Sequence, residues 1–148
     1  MCGILSLVDT PWQQAGEAAL RPLEARGPDG KAFWAKDGAL LGHARLSVID
    51  LEGGAQPMAS ADGRYVLAYN GELYNFRALR AELEARGHRF RTRSDTEVLL
   101  YALIEWGRGA LARLDGMFAF ALWDARERRL LAARDRLGIK PLFYSTQK

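Results

Sequence analysis

A chain of 148 residues, 49% hydrophobic and 26% charged, has the balance of one globular domain and excludes a disordered tail, a collagen-like rod or a mucin-like stalk. No stretch approaches the roughly 18 apolar residues of a membrane span, and the first residues lack the basic segment of a secretory leader, so a cytoplasmic enzyme or binding domain is expected. The net charge of +3, with 17 of the 21 basic residues arginine, is too small to argue for nucleic acid, while a single cysteine and two histidines exclude a disulfide framework and leave no basis for a metal site.

In chain order, Ile4, Leu5, Leu7 and Val8 predict a buried strand. Residues 14–25 are Ala-rich and predict a helix that Pro22 kinks or restarts. Arg26-Gly27-Pro28-Asp29-Gly30 is a turn. Residues 31–35 and 39–44 predict a hairpin about Asp37-Gly38. Residues 46–51 continue as β-favouring sequence, and Gly53-Gly54 with Gln56-Pro57 marks a loop. Residues 65–69 predict a strand ending at Asn70-Gly71. Phe76, Leu79 and Leu83 recur at helical spacing, with Gly87 as the stop.

Residues 89–93 alternate and predict a strand with one wet face, its arginines (Arg89, Arg91 and Arg93, with Arg86 nearby) solvated rather than reading nucleic acid. Ser94 and Glu97 have the spacing of a capping box, opening a helix that carries Val98, Leu99, Tyr101 and Ala102 and stops near Gly107. Residues 117–123 are a dense apolar run ending in Asp124. Residues 129–135 and 142–144 predict further strands, joined by a turn at 137–141. The pattern is α+β, a largely antiparallel sheet system with helices packed on it, in one domain over residues 1–148.

Three constellations could carry chemistry. Removal of Met1 would leave Cys2 with both a thiol, ordinarily titrating near 8.5, and a free α-amine at about 7.7–8.0, so that nucleophile and base share one residue. Gly3 beside it would let the backbone approach a substrate. A pairing of Cys2 with His43 is an alternative that the free amine makes unnecessary. A buried structural thiol is the other reading. Asn70-Gly71 is either a hairpin turn or an oxyanion hole made by the Asn70 amide and the Gly71 N–H; the helical sequence that follows argues against a plain hairpin. Arg45 interrupts an apolar stretch and suits a carboxylate, while Glu72 and Asp95 offer negative charge, Asp95 at a helix start that favours it anyway. One cation with one or two carboxylates around a thiol would suit an α-amino acid.

The motifs together resemble the glutaminase domain of asparagine synthetases, among the class II glutamine amidotransferases. The resemblance rests on Cys2-Gly3-Ile4, on Arg26-Gly27-Pro28-Asp29-Gly30, on the segment from Gly42 to Leu51 with Gln56-Pro57 after it, on Tyr69-Asn70-Gly71-Glu72-Leu73-Tyr74-Asn75, on Ser94-Asp95-Thr96-Glu97, and on the segments from Gly116 to Asp124 and Ala133 to Tyr144. It covers nearly the whole chain.

The resemblance implies an N-terminal nucleophile hydrolase αββα sandwich, two antiparallel sheets between helical layers, cut short at its C-terminus. It implies that Cys2 forms a γ-glutamyl thioester and that Asn70 and Gly71 hold the oxyanion. Arg45 would bind the substrate α-carboxylate, Glu72 and Asp95 its α-ammonium, and the backbone near Val48 would line the pocket. Glutamine is then the substrate, and the ammonia passes to a synthetase domain, with asparagine from aspartate as the expected product. No phosphate-binding loop occurs, so ATP and Mg would belong to a synthetase domain outside this sequence, and no cofactor, metal, nucleic acid or membrane is expected of this one. Oligomeric state is left open. The alternative is a truncated, non-catalytic module that binds amino acids or associates with a partner.

Overall fold

The computed structural model describes residues 2–9, 18–46 and 54–146. Its strands are β1 (Gly3–Val8), β2 (Gly30–Lys36), β3 (Ala39–Arg45), β4 (Met58–Ala59), β5 (Tyr65–Leu73), β6 (Gly116–Asp124) and β7 (Arg129–Arg134). They form two antiparallel sheets, in the orders β1-β3-β2 and β4-β5-β6-β7. Two α-helices, α1 (Phe76–Ala85) and α2 (Asp95–Trp106), two 3-10 turns, Arg21–Arg26 and Gly107–Ala112, and the helical residues 18–20 that lead into the first of these complete the described elements.

Strand alternation sorts the side chains into layers. Ala39 and Leu41 of β3, with Ile4, Val8 and Trp34, meet Val66, Ala68 and Trp123 of the second sheet, and this is the inter-sheet core. The opposite parity on the second sheet (Leu67, Tyr69, Leu73, Phe118, Phe120, Leu122) packs against Leu79 and Leu83 of α1 and Val98, Leu99, Ala102 and Leu103 of α2. Leu20 and the first 3-10 turn cover the outer face of the first sheet, where Gly42 admits Leu20 and Gly3 admits Leu23. The result is the expected order of helical layer, sheet, sheet, helical layer.

The hairpin about Asp37-Gly38 is present, with both residues at positive φ (53° and 84°), as a two-residue turn matched to strand twist requires. Residues 18–20 are helical and Pro22 sits at the start of the 3-10 turn, so the proline restarts the helix in a tighter form; residues 10–17 lie outside the described residues. Residues 47–53, and with them the expected strand continuation and Val48, also lie outside the described residues. Gly87 follows α1 at φ 95°, and Gly107 ends α2 at φ 54°.

Five expectations need correction. Apart from Gly3, β1 is half-buried, because it is an edge strand of its sheet. Asn70-Gly71 does not end β5: the ladder with β6 runs on through Asn70↔Ala119 and Gly71↔Phe118 to Leu73↔Gly116. Residues 89–93 form no strand. There the backbone N–H groups of Arg91 and Thr92 donate to the Glu97 carboxylate and the Arg91 guanidinium to the Ala59 carbonyl, which leaves no ladder.

For the same reason the capping box is only half made. Ser94 Oγ accepts from Thr96 N at 3.1 Å, but Glu97 turns back to residues 91 and 92 instead of capping Ser94. Finally, residues 142–144 pair with no strand among the described residues; Phe143 and Tyr144 are about nine-tenths exposed.

Candidate functional site

The parity that builds the inter-sheet core also builds a cavity at one end of it. On β3, positions 39, 41, 43 and 45 face the second sheet, so His43 and Arg45 follow Ala39 and Leu41 into the same space. On β5, Asn70 follows Val66 and Ala68, and on the first strand Cys2 follows the parity of Ile4 and Val8. Where the apolar residues of the core give way to these polar ones, a cleft of about 180 Å³ opens. Cys2, His43, Arg45, Gln56, Tyr69, Asn70, Gly71, Glu72, Asp95, Thr96 and Lys140 are among the residues lining it.

Six of the seven residues singled out from the sequence (Cys2, Arg45, Asn70, Gly71, Glu72 and Asp95) are thus gathered in one cavity, and the seventh, Val48, lies outside the described residues. Gly3 is not among the lining residues. Its missing side chain serves packing instead, since a Cβ there would stand 2.7 Å from Leu23 Cβ.

Cys2 Sγ is held at the end of β3. It accepts a hydrogen bond from Leu46 N at 3.3 Å and donates to Leu46 O at 3.4 Å. The turn at 26–30 supports the neighbouring Arg45: Asp29 N donates to Arg45 O at 3.0 Å, and a Cβ on the buried Gly27 would lie 2.2 Å from Ala44 O. The glycine at 27 is therefore required by close approach of the backbones. Gly71 has the same reason, with a hypothetical Cβ 2.2 Å from Met117 O. Asn70 is 5% exposed and projects between the sheets.

Asp95 enters from the other side, at the first turn of α2. Its Oδ2 accepts from the Tyr69 hydroxyl at 2.9 Å and from Leu73 N at 3.1 Å. Burial pushes its carboxyl above the usual carboxylate range; the N–H of Leu73, the Tyr69 hydroxyl and the N–H of Thr96 oppose that, and the nearby Glu72 charge adds to it. His43 is driven the other way. At 1% exposure its imidazole falls to about 4 through burial, with Arg45 adding to the effect and a hydrogen bond to the Tyr69 backbone opposing it, so the ring is neutral near pH 7.

Sequence reasoning missed the residues that brace these groups. Gln56 Oε1 accepts from Tyr69 N at 2.6 Å while its Nε2 donates to Thr96 Oγ1 at 3.3 Å, tying β5 to the start of α2. Asp135 organises the turn after β7. Its carboxylate accepts from Phe118 N, Ile139 N and Lys140 N at 2.9–3.2 Å, which fixes Lys140 at the cavity. Burial alone would raise that carboxyl, but these N–H donors hold it below its ordinary value. The signals were present as Gln56-Pro57 and as the segment from Ala133 to Tyr144, but nothing local to either stretch says which backbone they reach. Among the described residues no three His, Cys, Asp or Glu side chains cluster as a metal site, and no helix is long and apolar enough to cross a membrane.

Comparison with known proteins bears on the family and the fold. The chain is 49% identical over 154 residues to asparagine synthetase [glutamine-hydrolyzing] 3 of Bacillus subtilis, covering 99% of this chain and 25% of that protein. It is 45% identical over 148 residues to asparagine synthetase B [glutamine-hydrolyzing] of Escherichia coli, covering 97% of this chain and 26% of that protein. The chain therefore spans about a quarter of the length of these relatives. Among solved structures it resembles glutamine phosphoribosylpyrophosphate amidotransferase of B. subtilis, with a TM-score of 0.75 at 24% identity over 91% of this chain and 37% of that one. That likeness bears on the fold alone, which is the N-terminal nucleophile hydrolase sandwich. Over residues 1–148 the sequence matches the glutamine amidotransferase domain family, and the chain belongs to that family.

Proposed function

We propose that this domain hydrolyses glutamine to glutamate and ammonia through a thioester on Cys2, and that the ammonia serves an ATP-dependent amidation carried out by a synthetase domain, with asparagine formed from aspartate. The observation that supports the reading is the lining of a single cavity by a thiol, an Asn-Gly pair, a guanidinium and two carboxylates. An α-amino acid with a side-chain amide carries complementary groups for each of these.

In this mechanism Arg45 holds the α-carboxylate, and Asp95 with Glu72 holds the α-ammonium. The side-chain amide then lies toward Cys2. With Met1 removed, the α-amine of Cys2 takes the thiol proton, and Sγ attacks the amide carbon. Negative charge develops on the amide oxygen, where the Asn70 amide and the Gly71 N–H donate to it. The C–N bond breaks, the amine returns its proton to the leaving group, and ammonia departs. Water then attacks the γ-glutamyl thioester, regenerating the thiol and releasing glutamate. His43, neutral and buried, is not needed as the base. The backbone near Val48 is proposed to complete the pocket.

Two measurements on the purified chain test this. Intact mass reports whether Met1 is removed. Glutamate release from glutamine is compared between the wild-type chain and Cys2→Ala, and turnover is expected only in the former. Equal release from both would end the nucleophile assignment.

A further inference from the structure

Strand β5 supplies residues to both faces of the second sheet. Asn70 turns into the cavity from one face. Tyr69, its neighbour, turns to the other, beneath the first turn of α2, where its ring is 2% exposed. Its hydroxyl and the Leu73 N–H, four residues further along the same strand, both donate to Oδ2 of Asp95. Two donors on one oxygen fix the orientation of the carboxylate, which the N–H of Thr96 also favours and which lines the cavity. They also reference that carboxylate to the strand that carries Asn70, Gly71 and Glu72. Gln56 reinforces the arrangement, since it grips Tyr69 N and Thr96 Oγ1, one group on each side of the Tyr69–Asp95 contact.

We propose that Tyr69 is a positioning residue for substrate recognition: by holding Oδ2 of Asp95 it orients the carboxylate toward the α-ammonium of glutamine and sets how tightly that ammonium is bound. The inference rests on the reading of Asp95 given under the proposed function. A carboxylate must be ionised to hold an ammonium, and Asp95 is buried beside Glu72. The hydroxyl is one of the few donors that favour the ionised form. Among the described residues, the charged or titratable groups that share the cavity with Asp95 are Tyr69 and Glu72 from β5, His43 and Arg45 from β3, Cys2 just before β1, and Lys140 from the turn after β7. Removing the hydroxyl therefore weakens ammonium binding, and moves its acid-side loss to higher pH. A tie that merely joined β5 to α2 would not distinguish one ligand from another.

The test is calorimetric binding to the full chain carrying Cys2→Ala, which blocks turnover. Two ligands are compared, L-glutamine and its des-amino analogue, which keeps the amide and carboxylate but lacks the ammonium. Tyr69→Phe is expected to weaken glutamine about tenfold and the analogue less than about twofold, with the acid limb for glutamine displaced upward in pH. Asp95→Asn, as the control, is expected to abolish the preference for glutamine over the analogue. If Asp95→Asn is selective while Tyr69→Phe affects both ligands alike, affects neither, or unfolds the chain, the hydroxyl is structural and this inference falls while the proposed function stands. If Asp95→Asn shows no selectivity, or neither ligand binds at all, the ammonium site itself is wrong and both fall.

Discussion

Replacing His43 with glutamine separates a neutral buried imidazole from a charged one. In the folded chain the ring is 1% exposed, its Nε2 makes no hydrogen bond with a described residue, and burial holds its pKa at about 4. In the unfolded chain it titrates at about 6.5. As pH falls, the unfolded state takes up this proton first. The folded-state contribution is therefore intact above about pH 6.5 and is lost as pH drops from there through about 4. The difference corresponds to about 3 kcal/mol in full, of which about 2 kcal/mol falls between pH 7 and pH 5. Urea unfolding of wild type and His43→Gln at pH 7, 6 and 5 reads it directly. The variant loses stability at every pH, but the gap between the two proteins narrows by about 2 kcal/mol from pH 7 to pH 5. Other titrating groups, Asp95 included, are common to both proteins and are removed by the subtraction. Parallel stability curves would show that the ring accepts its proton equally well folded and unfolded, and would refute the argument from burial.

Other substitutions test the framework of the site. Glu97→Gln keeps one acceptor but turns an NH2 group toward the N–H donors of Arg91 and Thr92, in a side chain with no exposure; a loss of about 3 kcal/mol in urea unfolding is expected, and less than about 1 kcal/mol would mean that the 91–94 segment is held otherwise. Gly71→Ala drives a Cβ to 2.2 Å from Met117 O, so β5 and β6 must separate beside Asn70; the expected result is a loss of more than about 3 kcal/mol together with glutaminase turnover, and a stable, active variant would contradict the close approach. Asn70→Ala is expected to lower kcat about a hundred- to a thousand-fold with little change in KM, measured by glutamate release, whereas a change confined to KM would remove Asn70 from oxyanion stabilisation.

Local chemistry makes much of this protein legible in its amino-acid sequence. Asp37-Gly38 specifies its hairpin because few residue pairs accept two consecutive positive φ values. The apolar spacing of Phe76, Leu79 and Leu83 and the stops at Gly87 and Gly107 delimit the two helices, and the order of the motifs identifies the family and its candidate residues. What the sequence could not supply was pairing. Asn70-Gly71 reads locally as a turn, and only β6, lying alongside through Leu73, keeps it extended and aims Asn70 between the sheets. The alternation of residues 89–93 reads as a strand, but the buried carboxylate of Glu97 claims its backbone donors first. The apolar character of residues 142–144 likewise makes no strand where no ladder forms among the described residues. Side-chain parity is local, whereas the choice of neighbouring strand is set by contacts between residues far apart in sequence. The residue types of the site could therefore be read from the chain, while their convergence on one cavity, and the bracing by Tyr69, Gln56 and Asp135, was decided by the stacking of the two sheets and the docking of α2.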